Sequence, residues 1–213
     1  MVFSKEIKIA TILPANDSRL FSIRNVAPAM EIAMALVSKS HRLLDGYTFS
    51  VKYEDSDCDI AEGINKAIKF YMQKEVNAFF GPVCDYALAP VSRQAIFWNI
   101  PVISAGGMAM DFTTSKLTEY RSLTRVGMFN FVSLCRFFMS VMNHFKWKTF
   151  KIIYDKPGQD SIVTGFCHLT TASIHYCMLA EAPEIQQSFY RLDQANSIHE
   201  MLINQVGVSS AGE

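Results

Sequence analysis

Neither sign of charge prevails in this chain: 20 lysines and arginines face 20 aspartates and glutamates over 213 residues. Phosphate backbones are bound by an excess or a stripe of basic side chains, and with neither present nucleic acid is excluded as the main partner. Long apolar runs are also missing. Every apolar stretch stops short of the roughly 18 residues that span a bilayer. The start, Met1-Val2-Phe3-Ser4-Lys5-Glu6, lacks the apolar centre of a secretory signal. Taken literally this describes a soluble cytosolic protein, and it equally describes a piece of a longer secreted or membrane protein. Gly106-Gly107 ends a strand-like segment, yet neither G-x-G-x-x-G nor G-x-x-x-x-G-K-[ST] occurs, which argues against a nucleotide loop. The histidines, at 41, 144, 168, 175 and 199, show no metal-ligand spacing, so no metal site is expected. Internal repeats and low-complexity tracts are absent as well.

Half of the residues are apolar, enough for a large core, and they are distributed in alternating patterns. Lys8 to Leu13 reads as a strand closed by Pro14. Asn25 is placed to cap a helix carrying Val26, Ala29, Met30, Ala33 and Val37, with Pro28 in its first turn and an end near Ser40-His41-Arg42. Tyr47, Phe49, Val51 and Tyr53 alternate as on a second strand; Ser56 or Asp57 is then the expected cap of a helix through Ile60, Ile64, Ala67, Ile68 and Tyr71. Val76 to Phe80, Pro101 to Ser104 and Leu123 to Val126 are the next strand segments. A strongly amphipathic helix from Phe131 to Phe145, a strand from Thr149 to Tyr154, a helix over 160–178, an ill-defined strand and a helix over 193–205 complete the chain. Such alternation predicts an α/β fold with a mostly parallel sheet flanked by helices, whose ligands bind at the carboxyl ends of the strands. Residues 54–59, 81–86, 104–107 and 154–160 fall there.

The stretch Phe79-Phe80-Gly81-Pro82-Val83-Cys84-Asp85-Tyr86 organises the rest, because an apolar run breaks at Gly-Pro and a helix follows. The first N–H groups of a helix lack intrahelical partners and its dipole is positive there, so Val83 and Cys84 are placed to hold an anion or polar ligand group. Cys84 at that position is open to three readings: a low-pKa nucleophile, a disulfide partner, or an inert thiol. Cys58 also follows a strand. Cys135 lies on an apolar helix face and reads as a buried thiol. Cys167 and Cys177 stand ten residues apart in one expected helix, about 15 Å, beyond disulfide reach of one another.

Tyr53-Glu54-Asp55-Ser56-Asp57-Cys58, then Gly81-Pro82-Val83-Cys84-Asp85-Tyr86 with Ala89-Pro90-Val91 and Arg93, recur in this order with Trp98, Pro101, Ser104-Ala105-Gly106 and Leu123-Thr124-Arg125-Val126. Together with Leu13-Pro14 and Asp17-Ser18-Arg19-Leu20-Phe21-Ser22, these motifs resemble the extracellular hormone-binding domain of natriuretic peptide receptors, the clearance (type C) branch in particular. The resemblance runs from about residue 8 to 155 and fades beyond Lys156. It implies a type I periplasmic-binding-protein-like fold: a complete first lobe over residues 1–128 and the start of a truncated second lobe over 129–213. It implies no catalysis, but a cell-surface, single-pass receptor dimer that binds a ring-shaped peptide hormone, with signal peptide and membrane anchor outside this chain. It further implies a disulfide between Cys58 and Cys84 and a structural chloride held by the Ser56 hydroxyl and the Val83 and Cys84 N–H groups. Peptide contacts are implied at Tyr86, Arg93 and Tyr154, while Cys167 stays unpaired. Just after Cys167 the family has two aromatics and then a glutamate, where this chain reads His168-Leu169 and Ala172. Asn16-Asp17-Ser18 is a glycosylation sequon in a secretory setting.

Two other classes compete. A small-molecule, amino-acid-like sensor of the same fold would use Ser104 and Thr124, and a cysteine enzyme would need a free Cys84 thiol.

Overall fold

The computed structural model describes residues 5–40, 44–127 and 129–207. The expected helix end at His41-Arg42, Met128 at the expected lobe boundary and the tail from Val208 lie outside the described residues. The chain divides into two units, Met1–Met128 with Ser161–Thr164, and Phe129–Asp160 with Gly165–Glu213.

The first unit runs β1 (Lys5–Leu13), α1 (Ile23–Lys39), β2 (Tyr47–Asp55), α2 (Ile60–Met72), β3 (Ala78–Phe80), α3 (Asp85–Trp98), β4 (Val102–Ser104), α4 (Asp111–Thr114) and β5 (Leu123–Arg125). All five strands are parallel, in the order β2-β1-β3-β4-β5. The second half of β1 is buried continuously from Ile9 to Leu13, as a central parallel strand covered on both faces must be. Ala10, Ile12, Phe79, Val102 and Leu123 meet Phe70 of α2 and Leu88, Val91 and Ala95 of α3 in one core cluster. The segment Ser161–Thr164 is tied to this unit by Leu20 N–H on Ile162 O at 3.4 Å and Arg19 Nη1 on Thr164 Oγ1 at 3.1 Å.

Several expectations need correction here. The cap of α1 is Ser22, not Asn25, so Pro28 falls inside the helix. None of its residues is fully buried, and Ala29 and Ala33 of the expected face are exposed while Val26, Met30 and Val37 are half-buried. For α2 the cap is Asp59, whose Oδ1 accepts from Ala61 N–H at 2.7 Å and Glu62 N–H at 3.0 Å. Ser56 and Asp57 lie too early because Asp57 and Cys58 adopt positive φ, which ends the strand segment before a helix can start.

The second unit holds α5 (Phe131–His144), β6 (Thr149–Tyr154), α6 (Phe166–Glu181), β7 (Gln186–Arg191), a 3₁₀ turn (Leu192–Gln194) and α7 (Ile198–Gln205). Strands β6 and β7 form a two-stranded parallel sheet. Helix α6 starts later than residue 160, after Gly165 in the left-handed region; the expected helix over 193–205 divides into the 3₁₀ turn and α7. Cys135 is not a thiol: it is disulfide-bonded to Cys177, with Cα atoms 6.4 Å apart. The inward face of α5 meets α6 there, a pairing that the periodicity of either helix alone does not reveal. Cys167 is the free cysteine.

Candidate ligand-binding site

Because the five strands are parallel, Leu13, Asp55, Phe80, Ser104 and Arg125 all end on one edge of the sheet. β1 lies between β2 and β3, so the chain switches direction across the sheet beside it, and the crevice at such a point is where open α/β sheets bind ligands. The Gly81–Pro82 turn sits there, with a cis peptide bond. Gly81 has φ +83° and a Cβ on it would lie 2.3 Å from Ile12 O, so both conformation and space demand glycine.

The Cys58–Cys84 disulfide joins the loop after β2 to this turn, its Cα atoms 5.3 Å apart. The two cysteines pack with Leu13, Val83 and Ala87 and against Ile23 and Val26 of α1. A bonded Cys84 has no thiol to act as a nucleophile, which removes the cysteine-enzyme reading. Ser56 is wholly buried; its N–H donates to Leu13 O at 3.0 Å and its Oγ accepts from Cys58 N–H at 3.3 Å. Cys84 is the cap residue of α3 with an extended backbone and no side-chain cap bond, and among the described residues neither Val83 N–H nor Cys84 N–H finds an acceptor. A buried hydroxyl and buried backbone donors at a helix N-terminus form the donor set that suits a small anion, so the residues fit a chloride on chemical grounds.

The loop after β4 is pressed onto the same turn. Ser104 Oγ donates to Pro82 O at 2.6 Å and accepts from Gly106 N–H at 3.0 Å. Its one proton is thereby used inside the protein and the side chain is buried, which leaves the amino-acid-sensor reading without its first residue. At Gly106 a Cβ would stand 1.8 Å from Val83 O, so Gly106-Gly107 is a close backbone approach and not a nucleotide loop.

Asp85, the first residue of α3, is 3% exposed. Its Oδ1 accepts from Ala109 N–H at 2.7 Å and its Oδ2 is buried with no partner. Burial pushes this carboxyl up to about 6, against the opposing pull of the Ala109 and Met108 N–H groups and the Arg125 guanidinium. Arg125 itself donates to Gly107 O at 2.7 Å and Thr113 Oγ1 at 3.0 Å. Sequence reasoning passed over Asp85. The signal available was an acidic residue directly after the turn that ends an apolar run.

Tyr86 is the next residue of α3 and is exposed. Arg93 is held by two carboxylates, with Nε 2.5 Å from Glu119 Oε2 and Nη2 3.3 Å from Asp111 Oδ2, and its guanidinium lies 5.0 Å from the Tyr120 ring centroid. Tyr120 OH donates to Asp111 Oδ2 at 2.8 Å, and burial followed by that carboxylate raises its pKa. Asp111 and Glu119 were not anticipated from the sequence. Tyr154 belongs to the second unit, at the end of β6 opposite Arg191 of β7. Asn16 is exposed, and its Oδ1 accepts from the Ser18 hydroxyl at 2.8 Å. A concavity of about 400 Å³ lies elsewhere, along edge strand β2, lined by Lys52, Glu54, Lys69 and Glu75 among others. Its charges are paired with one another, Lys52 with Glu75 and Lys69 with Glu54, so it offers no unmatched charge to a ligand.

Among the described residues no helix is long and apolar enough to cross a membrane, and no cluster of histidine, cysteine or acidic residues could hold a metal ion. Residues 25–175 match the receptor family ligand binding region. Atrial natriuretic peptide receptor 3 of Bos taurus is 32% identical over 205 residues, covering 91% of this chain and 36% of that protein. Atrial natriuretic peptide receptor 2 of Anguilla japonica is 30% identical over 164 residues, 73% of this chain and 15% of that protein. The chain thus spans about a third of the length of the first of these relatives and less of the second. Among solved structures, an ABC transporter substrate-binding protein from Desulfitobacterium hafniense superimposes with a TM-score of 0.65 at 15% identity, covering 88% of this chain and 51% of that one. That likeness shows the periplasmic-binding-protein type of fold. With its motif-bearing turn at the carboxyl edge of a parallel sheet, the chain belongs to the receptor family ligand binding region, the domain family of the natriuretic peptide receptors.

Proposed function

We propose that this chain is a hormone-binding portion of a cell-surface receptor that takes a ring-shaped peptide hormone, and that it binds without catalysing a reaction. The observation that carries the reading is the turn at Val83 and Cys84, bonded through Cys84 to the loop that contains the buried Ser56. Chloride bound by the Ser56 hydroxyl and the Val83 and Cys84 N–H groups would satisfy these donors and fix the start of α3, the helix whose Tyr86 and Arg93 face the peptide. Tyr154 is a peptide contact of the second unit, taken by itself. The carboxylates of Asp111 and Glu119 hold the Arg93 guanidinium in place, so that the peptide meets a positioned cation and not a free side chain. Asn16 carries glycan on the cell-surface protein, and the receptor acts as a homodimer.

Titration of the secreted protein with a panel of disulfide-ring peptides, in chloride and in a large anion at equal ionic strength, tests the reading. Binding that weakens without chloride, and loses that dependence in Ser56→Ala, is the expected result. Peptides that fail to bind under every condition, while a free amino acid does bind, would overturn it.

A further inference from the structure

Asp85 follows directly on Cys84, so its carboxylate stands at the same helix terminus as the N–H groups assigned above to an anion. An internal carboxylate and an external anion draw on the same positive helix end, and two like charges close together disfavour one another. Its surroundings offset this charge only in part, since burial outweighs the pull of the Ala109 and Met108 N–H groups and of Arg125. Oδ1 accepts from Ala109 N–H, while Oδ2 is buried without a partner and is the atom available to take up a proton. Arg125, on β5, donates to Gly107 O and Thr113 Oγ1 and not to Asp85, so its charge pulls on the carboxylate without a direct bond. On α2, Lys66 is paired with Glu54 and Glu62, and the cap carboxylate of Asp59 is occupied by Ala61 and Glu62 N–H groups; Asp57 is exposed. The loop from Ala105 to Met110 carries no ionisable side chain, and Asp111 beyond it is bonded to Tyr120, Ser115 and Arg93. Neither Cys58 nor Cys84 titrates, being bonded to each other.

We propose that Asp85 couples proton uptake to anion binding: the neutral acid admits a halide at Ser56, Val83 and Cys84, and the carboxylate repels it. This rests on the anion reading given above and extends it to a regulated site. Burial holds the carboxyl up at about 6, which puts the change in the mildly acidic range. Repulsion between two charges at neighbouring backbone positions, partly screened by the protein, corresponds to about a tenfold change in halide affinity. By reciprocity, a bound halide moves the carboxyl titration up by about one pH unit.

The test is a chloride titration of the 213-residue protein against gluconate at constant ionic strength, at several values from about pH 8 to about pH 5. The readouts are the chloride NMR line width and the chloride-dependent shift in melting temperature. Affinity should rise about tenfold on acidification in the wild type. It should be tight and pH-independent in Asp85→Asn, where a neutral isostere replaces the carboxyl. Carbon NMR of the Asp85 carboxyl in the unmodified protein, with and without saturating chloride, gives a second measurement that needs no variant. Chloride binding of constant affinity across this range overturns the coupling and leaves the anion site standing. The same pH dependence persisting in Asp85→Asn overturns Asp85 as the responsible group. Absence of chloride binding at every pH overturns the anion site and the coupling with it.

Discussion

Ala10, Ile12, Phe79 and Val102, from three neighbouring strands of the first unit, are wholly buried, whereas no residue of β6 or β7 in the second unit is. The first unit builds its core on a five-stranded sheet whose inner strands are covered on both faces. The second has a sheet of two edges and places its buried residues on helices: Phe131, Cys135 and Met142 on α5, Cys177 and Met178 on α6. The disulfides follow the same division. Cys58–Cys84 joins two loops at the sheet edge, where it fixes the candidate site, and Cys135–Cys177 ties the two helices that carry the second core. A sheet-centred core leaves its loops available for function and staples them, while a helix-centred core staples itself.

Each unit carries one tryptophan, Trp98 in the first and Trp147 in the second, so Trp98→Phe and Trp147→Phe backgrounds report the two unfolding events separately. The largest effect is expected for Cys135→Ala with Cys177→Ala. Opening a loop of sequence separation 42 removes about 4 kcal/mol from the second unit through the unfolded chain. Denaturant unfolding followed by Trp147 should move and that followed by Trp98 should not. Equal shifts in both would break the division between the units.

Gly106→Ala addresses the first unit's loops. A Cβ 1.8 Å from Val83 O must displace backbone, which is expected to cost about 3 kcal/mol seen by Trp98. Wild-type stability in this variant would show that the loop after β4 is not pressed onto the turn.

Asp85→Asn should act in the opposite direction. The folded carboxyl is raised to about 6 from 3.8, so its contribution favours the fold below the unfolded value and is lost as pH rises through about 6, by about 3 kcal/mol in all. The side-chain amide of the variant keeps the acceptor for Ala109 N–H without the charge. The variant is therefore expected to be more stable than wild type by about 2 kcal/mol above pH 7, and to flatten the stability profile between about pH 4 and pH 7. A destabilised variant at pH 8 would mean that the carboxylate is better solvated than its burial indicates.

Helix caps compare the units on equal terms. Asp59→Ala in α2 and Asn130→Ala in α5, where Asn130 Oδ1 accepts from Ser133 N–H at 2.9 Å, should each cost about 1 kcal/mol. The smallest effect is expected at the exposed Arg136–Glu181 pair, where Arg136→Ala should change stability by about 0.5 kcal/mol or less. Thermal unfolding of these three variants in one buffer ranks them.

Much of the fold was legible because apolar spacing reports which face of an element turns inward. Strands β1, β2, β5 and β6 lie close to where alternation and β-branching put them, and α3 follows its turn as the Gly81-Pro82 break implies. Local ambiguity caused the errors at helix starts. Ser56, Asp57 and Asp59 are all capable caps, and the choice of Asp59 depends on the backbone at Asp57 and Cys58. At α1, Ala29 and Ala33 satisfy the helical spacing yet remain exposed, since α1 meets its sheet along Val26, Met30, Met34 and Val37.

By itself the sequence determined the α/β alternation, the strand-turn-helix at residues 79–86 and the positive helix end at Val83 and Cys84, because these depend on neighbours within a few residues. Only the tertiary structure decided that Cys135 meets Cys177, that Ser104 spends its hydroxyl on Pro82, and that Asp85 loses its solvent. Those outcomes depend on partners 42, 22 and 24 residues away. Periodicity states that a side chain turns inward, but the packing of separate elements chooses what it meets there, and that choice sets both covalent pairing and the charge state of a buried acid.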